Sequence, residues 1–313
     1  MRSLMQHATL TTLFAAALAA TATAVAADPG FSTSTDATTI SVSDGGRPVL
    51  SYRFGEVPFK PYVDKLFTPG GVQVLRDAPH DHLHHHALMF ALVVDGVDFW
   101  AERPDRGRQT GPPPSISTRK GPDGDCLTLA GRLDWTPPDA REPLAVEQRA
   151  VEIHSAAGLG ATLVTWQSEL APGPGRDAVT LSGTHYDGLG LRMVESMDGV
   201  GEFTYASGEP GPIVRGTERV TPSTWAAYTA PVGGRTVTVA LFDHPKNARH
   251  PAGMFTMPAP FAYLSATPNV WKEPLEIKSC QPLVLRYAVA LWDNHPDRQT
   301  IEALYQRWLA REP

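Results

Sequence analysis

Cysteine is scarce in this chain of 313 residues, which contains only Cys126 and Cys280. Neither has a second cysteine or a histidine at the close spacing of metal-binding motifs, so a zinc site built on paired cysteines is not indicated. The two residues are compatible with one long-range disulfide in an oxidising compartment or with two buried free thiols. The sequence alone leaves both readings open.

Basic clusters and the standard catalytic motifs are also missing. The formal net charge is −6, with 27 Lys and Arg against 33 Asp and Glu, which argues against nucleic acid or an anionic membrane surface as a partner. The signatures HExxH, GxSxG, GxGxxG and the P-loop do not occur. The enzyme classes that depend on these motifs are therefore not indicated.

Long apolar runs are confined to the N-terminus. Arg2 gives a weakly positive start, residues 10–20 are mostly apolar, and Ala24-Val25-Ala26 offers a small-residue cleavage site. We predict a signal peptide over residues 1–26 and export to the periplasm or the medium; an Ala-rich N-terminal helix is the alternative. No later segment reaches eighteen apolar residues, so no membrane span is expected in the mature chain.

Strict alternation of polar and apolar residues dominates the mature chain, and this period of two indicates β-strands with distinct faces. With 27 Gly and 29 Pro, turn signals are frequent. The predicted strands cover residues 38–43, 49–54, 72–76, 127–135, 144–149, 161–170, 178–184, 225–230, 236–241 and 283–291.

Two segments depart from the strand pattern. Residues 103–122 are polar and rich in Gly and Pro, which predicts a long loop. Apolar residues from Ile301 to Leu309 recur with helical spacing, which predicts a C-terminal helix. We therefore predict an all-β fold: one domain over residues 27–313, built as a large two-sheet sandwich with a C-terminal helix.

The most informative feature is a group of five histidines within residues 80–86, followed at once by a strongly apolar run. If both form one strand, His82, His84 and His86 share a face and His85 lies on the other. Same-face neighbours are about 6.5–7 Å apart, so His82 and His84 could bind one divalent ion such as Zn²⁺, Ca²⁺ or Fe²⁺.

A third metal ligand would have to come from elsewhere in the chain. The candidates are Glu147, His185, Asp187, His244 and His250. The alternative is acid–base catalysis without a metal, in which His82, His84 and His85 transfer protons and Asp81 orients one of them. Glu147 is then the first choice for a catalytic carboxylate. In a third interpretation the segment is a polar loop tip and the histidines have only a structural role.

Other polar and aromatic residues are candidates for substrate binding. Arg192 could anchor a carboxylate or a sugar hydroxyl. The polar loop 244–251 follows an apolar strand directly, and such loops often line sites. Trp100 could stack on a sugar ring, although tryptophans more often lie in the core. The predicted substrate-binding residues are Tyr62, Trp100, Tyr186, Arg192, His244, Asn247 and His250.

Six segments, in their order and spacing, resemble the exported bacterial family labelled methane oxygenase PmoA, and the resemblance covers nearly all of the mature chain. They are Lys60-Pro61-Tyr62, Thr68-Pro69-Gly70-Gly71, Asp81-His82-Leu83-His84-His85, Gly96-Val97-Asp98-Phe99-Trp100, Tyr186-Asp187-Gly188-Leu189-Gly190-Leu191-Arg192-Met193 and Asp243-His244-Pro245-Lys246-Asn247-Ala248-Arg249-His250-Pro251. The core motif of that family is close to Asp-His-Pro-His-His-Arg-Gly.

This chain departs from that motif at Leu83, His86 and Ala87, where Pro, Arg and Gly are usual. At the second position a titratable imidazole replaces a fixed guanidinium. The resemblance implies a galactose-mutarotase-like β-sandwich and an association with exported carbohydrate-degrading systems. Enzymes of that fold present histidine, arginine and carboxylate side chains on a concave sheet face.

The function predicted from these observations is an exported carbohydrate-active enzyme that cleaves glycosides, by hydrolysis or β-elimination, or rearranges them. Its histidines would act as metal ligands or as acid–base groups. Two alternatives stay open. One is the metal-dependent oxidoreductase or oxygenase that the family label implies, with a redox metal held by two histidines and a carboxylate. The other is a carbohydrate-binding protein without catalysis.

Overall fold

The structure, a computed structural model, describes residues 30–57, 59–121 and 124–311. The predicted signal peptide lies outside the described residues. The β-strands are, in chain order, β1 (Phe31–Thr35), β2 (Thr39–Asp44), β3 (Arg47–Arg53), β4 (Tyr62–Leu66), β5 (Leu88–Ala91), β6 (Val93–Val94), β7 (Val97–Asp98), β8 (Arg108–Thr110), β9 (Ser115–Arg119), β10 (Cys126–Thr136), β11 (Ala145–His154), β12 (Thr162–Pro172), β13 (Ala178–Ser182), β14 (Gly188–Arg192), β15 (Glu202–Tyr205), β16 (Ile213–Arg215), β17 (Glu218–Pro222), β18 (Trp225–Val232), β19 (Arg235–Asp243), β20 (Gly253–Met257), β21 (Tyr263–Thr267), β22 (Leu275–Lys278) and β23 (Leu283–Trp292).

Two large antiparallel sheets contain most of these strands. Across the described residues, the 10-stranded sheet has the order β1-β2-β3-β4-β5-β14-β21-β20-β17-β16. The 9-stranded sheet has the order β15-β18-β19-β23-β12-β11-β10-β8, and β9 pairs with β10 beside this path. A smaller 4-stranded sheet has the order β22-β13-β6-β7.

One hydrophobic core joins the two large sheets. Leu191 and Leu264 of the first sheet belong to the same buried cluster as Trp166 and Val289 of the second. Burial of apolar faces from two sheets against each other is the defining feature of a β-sandwich. The predicted all-β sandwich is therefore confirmed.

The C-terminal helix α1 (Arg298–Leu309) covers the opposite face of the 9-stranded sheet. Its first turn is capped by Asp297, whose side chain accepts a hydrogen bond from the backbone N–H of Thr300 at 2.7 Å. Trp308 packs on small residues of the sheet such as Ala288 and Ala290, which alternate along β23 with the core residue Val289. In the described part of the chain, no helix combines the length and hydropathy of a membrane span.

Several local predictions are corrected by the structure. Residues 72–76 form isolated bridges rather than a continuous strand, because Gln73 pairs with Phe67 while Leu75 pairs with Met193. The predicted loop 103–122 contains the short strands β8 and β9, which complete the edge beside β10. Cys126 and Cys280 are both free, and Cys280 is exposed, so neither the disulfide nor the pair of buried thiols describes them.

Replacing Trp308 with Ala should lower the free energy of unfolding by about 3–5 kcal/mol, because it empties a large buried volume between helix and sheet. The side chain is 1% exposed and its Nε1–H donates to Thr165 Oγ1 at 2.9 Å. Urea denaturation followed by circular dichroism measures the change. Gln306→Ala, on the exposed face of the same helix, is the control and should stay within about 0.5 kcal/mol of wild type.

Candidate active site

A cavity of about 400 Å³ opens on one face of the 10-stranded sheet. His82, His84 and His85 line it on one side, and Arg215 and Glu218 line it on another. The rest of the lining is largely aromatic, from Trp100, Tyr186, Phe255, Phe261 and Tyr263. A concave apolar site with a few converging polar groups is the usual form of a small-molecule site.

The strand register places Tyr263, which lines the cavity, beside Arg192, which does not. Arg192 of β14 lies directly opposite Tyr263 of β21, so both side chains leave the same face of the sheet. Leu189 and Leu191 alternate with Gly190 and Arg192, so they point to the opposite face. Gly190 has no side chain, and this leaves the space that the hydroxyl of Tyr263 and the ring of Trp100 occupy.

The histidine loop, residues 79–86, is not a strand. Its backbone turns twice: the N–H of His82 donates to Pro79 O and the N–H of His85 donates to His82 O, each at 2.9 Å. The regular strand begins only at Leu88. The predicted sharing of one face by His82, His84 and His86 is therefore wrong, because alternation requires extended backbone.

Turning of the loop brings three imidazoles together. The ring centroids of His82 and His85 are 4.6 Å apart and nearly parallel, and His84 meets the ring of His85 edge-on at 4.6 Å. Phe261 and Tyr263 pack against His85, with centroids 5.5 and 5.2 Å away. The sequence thus singled out histidines that the structure brings together, although it assigned their faces wrongly.

Burial controls the protonation of two of these rings. It lowers the pKa of His84 to about 4 and that of His85 to about 2, with the neighbouring imidazoles and the Lys60 ammonium adding to the effect. Both rings are therefore neutral near pH 7. His82 is less buried, and its Nδ1 lies 3.1 Å from the Asp81 carboxylate. The two groups are close, but Nδ1 makes no hydrogen bond of acceptable geometry, so the orienting role of Asp81 stays a prediction.

His86 leaves this group and lies behind it, in a buried ionic chain. Its Nδ1 is 2.7 Å from Asp77 and its Nε2 is 2.9 Å from Glu102. Glu102 in turn accepts from the Lys60 ammonium at 2.5 Å. Burial alone would lower the pKa of His86, but the hydrogen bonds to its two carboxylate partners raise it.

Tyr62 belongs to the same chain rather than to the cavity lining. Its hydroxyl donates to Asp77 at 2.9 Å, and its ring stacks on His86 with centroids 4.3 Å apart. The residue is 2% exposed. The structure therefore places Tyr62, predicted to contact substrate, as a support for the histidine loop.

Glu218 is the carboxylate that the structure brings to the cavity. It accepts hydrogen bonds from the Arg215 guanidinium, the shortest at 2.6 Å, and pairs with His185 Nε2 at 2.9 Å. Burial alone would raise the pKa of Glu218, but these two partners lower it. No sequence pattern singled out Glu218 or Arg215, because they lie about 130 residues from the histidines, on the short strands β17 and β16 at the end of the sheet order.

Glu147 does not reach the cavity. Its side chain is 0% exposed and lies within the 9-stranded sheet, where it accepts hydrogen bonds from Trp135, Arg149 and Ser168. The Arg149 guanidinium also packs over the ring of Trp166. All of these contacts are internal to the protein, so the geometry gives Glu147 a structural position in place of the predicted catalytic one.

The predicted residues of the loop 244–251 are also far from the histidine loop. His250 Nδ1 pairs with Asp243 at 2.7 Å, and Asn247 donates to the same carboxylate at 2.7 Å. His244 meets the ring of Trp308 edge-on. These contacts connect β19 to helix α1 on the opposite side of the 9-stranded sheet, so His244, Asn247 and His250 are not part of this cavity.

Five residues in or beside the cavity carry buried polar atoms that have no hydrogen-bond partner within the residues that the structure describes. These atoms are His82 Nδ1, His85 Nδ1, Trp100 Nε1, the Tyr263 hydroxyl, and Nε with Nη1 of Arg192. Leaving a buried polar group unpaired is costly, and such groups gather where a ligand binds.

The arrangement of the three histidines is a weak match to a metal site. Lone pairs lie in the ring plane, so the nearly parallel rings of His82 and His85 cannot both aim at one ion. His82 and His84, the predicted pair, have centroids 5.8 Å apart at an interplanar angle of 60°. A single imidazole pair is an incomplete set for any of the predicted ions.

Another group has closer ligand atoms. Among the described residues, Cys126, Glu152 and His154 are the set whose potential ligand atoms all lie within 4.8 Å of one another. Glu152 is already paired with the Arg286 guanidinium at 3.3 Å, and Arg311 lies within electrostatic reach of His154. These positive charges oppose a cation at that position.

The family model that matches residues 39–306 is described as a family of unknown function, DUF6807. The chain belongs to this DUF6807 family. The description names no activity, so the methane oxygenase label stays an expectation from the motifs. No protein of curated function matches the chain.

Solved structures of similar shape share little sequence with this DUF6807 protein. A glycoside hydrolase family 97 enzyme from Pseudoalteromonas sp. strain K8 is 9% identical with a TM-score of 0.36, and the match covers 84% of this chain but only 34% of that one. A putative mutarotase from Salmonella typhimurium is 11% identical with a TM-score of 0.40, over 85% and 95% of the two chains. A TPR-domain containing protein from Parabacteroides distasonis is 11% identical with a TM-score of 0.36, over 83% and 48%.

Gly190→Ala should impair the cavity without unfolding the protein. A Cβ there would overlap the Tyr263 hydroxyl and lie 3.2 Å from the Trp100 ring, so both rings must shift. We expect a loss of about 1–3 kcal/mol of stability and a changed Trp100 environment, measured by denaturation and tryptophan fluorescence. Gly131→Ala, whose Cβ would meet only ordinary contacts at 3.4 Å or more, is the matched control.

The ionic chain predicts a specific pH dependence. The folded-state pKa of His86 lies above its unfolded value, so its stabilisation is fully present below about pH 6.5 and is lost as pH rises through the raised pKa. In His86→Gln this pH-dependent loss of stability should be absent. The difference between the wild-type and variant melting temperatures should therefore shrink as the pH is raised from 5 to 9. A difference that stays constant across that range would contradict the charged state assigned to His86.

Proposed function

We propose that this protein is an exported carbohydrate-active enzyme that uses His82 as its general acid–base group, with Glu218 across the cavity. The supporting observation is that one aromatic-lined cavity contains the His82 imidazole, whose Nδ1 lies 3.1 Å from the Asp81 carboxylate, and the Glu218 carboxylate. A carboxylate that orients a histidine is a common arrangement in general acid–base catalysis.

The spacing of the strands suits a single sugar unit. The histidine loop packs on Tyr263 of β21, and Glu218 lies on β17, two strands further along the sheet order. Strands lie about 4.8 Å apart, so the two sides of the site are separated by about 10 Å. One pyranose ring fits in that space, with its C–H face on an aromatic ring and its hydroxyls toward the polar groups.

Each group then has a distinct task. His82 transfers a proton to or from the glycosidic oxygen or a ring carbon. The neutral His84 and His85 bond to substrate hydroxyls, since an uncharged imidazole offers one donor and one acceptor. Glu218, kept ionised by Arg215 and His185, accepts from hydroxyls on the other side and stabilises positive charge that develops on the sugar.

Incubation of the purified protein with a panel of glycosides and 3-keto-glycosides, analysed by chromatography, tests this function. His82→Gln and Glu218→Gln should each lower kcat by about 10²–10⁴-fold, with KM changed much less. His295→Gln, in an exposed loop away from the cavity, is the matched control and should keep full turnover. Sugar binding without turnover of any substrate would show a binding protein instead.

The same assay with and without a chelator tests the metal prediction for His82 and His84. Turnover that is lost on chelation and restored by Zn²⁺, Ca²⁺ or Fe²⁺ would assign this pair to a metal site. Turnover that is unchanged by chelation would support acid–base catalysis by the imidazoles alone.

A further inference from the structure

The unpaired buried groups beside the cavity are mostly hydrogen-bond donors. The Trp100 indole and the Arg192 guanidinium can only donate. Burial raises the pKa of Tyr263 well above its ordinary value, so its hydroxyl keeps its proton. Within the described residues, none of the three has a partner for the atoms concerned: Trp100 Nε1, the Tyr263 hydroxyl, and Nε and Nη1 of Arg192.

The three residues that carry these donors are neighbours in the structure. Arg192 and Tyr263 are register partners on adjacent strands, and the Tyr263 hydroxyl and the Trp100 ring both lie over Gly190. Arg192 is 1% exposed, Tyr263 is 2% exposed and Trp100 is 4% exposed. The donors therefore share one largely dry region beside the cavity.

Phe261 leaves the Arg192 donors free. Its ring centroid is 3.6 Å from the Arg192 guanidinium carbon, so it covers the face of the guanidinium. The N–H groups of arginine lie in the plane of the group and point outward from its edges. Stacking thus holds the guanidinium in place without using its N–H groups. Nη2 has an acidic neighbour, Asp198, at 3.6 Å.

We propose, building on the function proposed above, that the substrate is a sugar acid whose carboxylate binds to Arg192, Tyr263 and Trp100. A carboxylate is an acceptor only and offers about four lone-pair sites, which suits a set of unpaired donors. A neutral hydroxyl would bring its own hydrogen and require a further acceptor. The bidentate match between guanidinium and carboxylate gives this contact its specificity.

Charges near the cavity are compatible with an anionic group. Glu218 is matched by Arg215 and His185, so its repulsion of a second carboxylate is reduced. Asp81 lies beside His82 and Asp198 beside Arg192, while burial raises the pKa of Asp187, a neighbour of Tyr263, to about 7 and so reduces its negative charge. The Arg192 guanidinium, with Nη2 near Asp198 and with Nε and Nη1 unpaired, is then the positive group that would receive an anion beside the cavity.

Calorimetric titration with matched ligands tests the proposal. The ligands are the methyl glycosides of glucuronic and galacturonic acid, their uronamides, and the neutral methyl glucoside and galactoside. One acid should bind at least about tenfold more tightly than its uronamide and its neutral parent, because the amide replaces an acceptor oxygen with a donor. Arg192→Met should reduce the acid to the affinity of the neutral sugar, and Arg192→Lys should recover only part of the difference.

Two further variants distinguish a specific loss of binding from misfolding. Tyr263→Phe removes one donor while keeping the ring, and should weaken the acid more than the neutral sugar. Arg235→Gln removes an exposed arginine away from the cavity and should leave all affinities unchanged. Equal binding of acid and neutral sugar by the wild type, or acid selectivity that survives in Arg192→Met, would overturn the sugar-acid proposal and leave the proposed function standing.

A different result would support the anion site and contradict the proposed function. If no sugar binds but methoxyacetate, a small carboxylate probe, binds in an Arg192-dependent way, the donor cluster is an anion site and the proposed carbohydrate function is wrong. If neither class binds, both proposals fail.

Discussion

His86 lies between the carboxylates of Asp77 and Glu102, and these buried contacts fix the histidine loop against the sheet. The loop has little regular structure of its own, so its shape depends on this anchor and on two backbone turns. Removing one member of a buried charge pair leaves the other charge buried without a partner, so substitution of such a residue is strongly destabilising. Positions of His82, His84 and His85 in the cavity therefore follow from a residue that does not line it.

The same charges behind the cavity influence its chemistry. Lys60 and Arg192 both act to lower the pKa of His85, in addition to the larger effect of burial. Positive charge thus lies on Arg192 near the cavity, while the imidazoles of His84 and His85 stay neutral. Neutral rings can bond to hydroxyls in either direction, and this separates substrate contact from loop anchoring.

Sequence periodicity was sufficient for the fold because alternation reports directly on burial in a sandwich. The strands that form the centre of the 9-stranded sheet alternate clearly, and β11, β12 and β23 were all predicted. Periodicity fails where backbone is irregular, and the histidine loop was consequently read as an extension of β5. Chemical composition still identified that loop, because residue type does not depend on backbone geometry.

The errors in the site have one physical origin. A charged residue that alternates with apolar neighbours in a strand is ordinarily solvent-exposed or catalytic, but Glu147 is neutralised by Arg149 within the sheet. Glu218 gave no signal, since its partners Arg215 and His185 come from different strands and loops. Sequence spacing cannot report which charges meet in space, and pairing decides whether a carboxylate is structural or available.

Pairing also explains why the unsatisfied donors are more informative than the histidines. An imidazole that is both donor and acceptor is compatible with many ligands, as the three readings of the histidine cluster show. Groups that can only donate a hydrogen bond are compatible with far fewer ligands. Burial also removes water as a partner for Trp100, Tyr263 and Arg192. The substrate class is therefore best tested at the donors of Arg192, Tyr263 and Trp100, and the chemistry at the histidine loop.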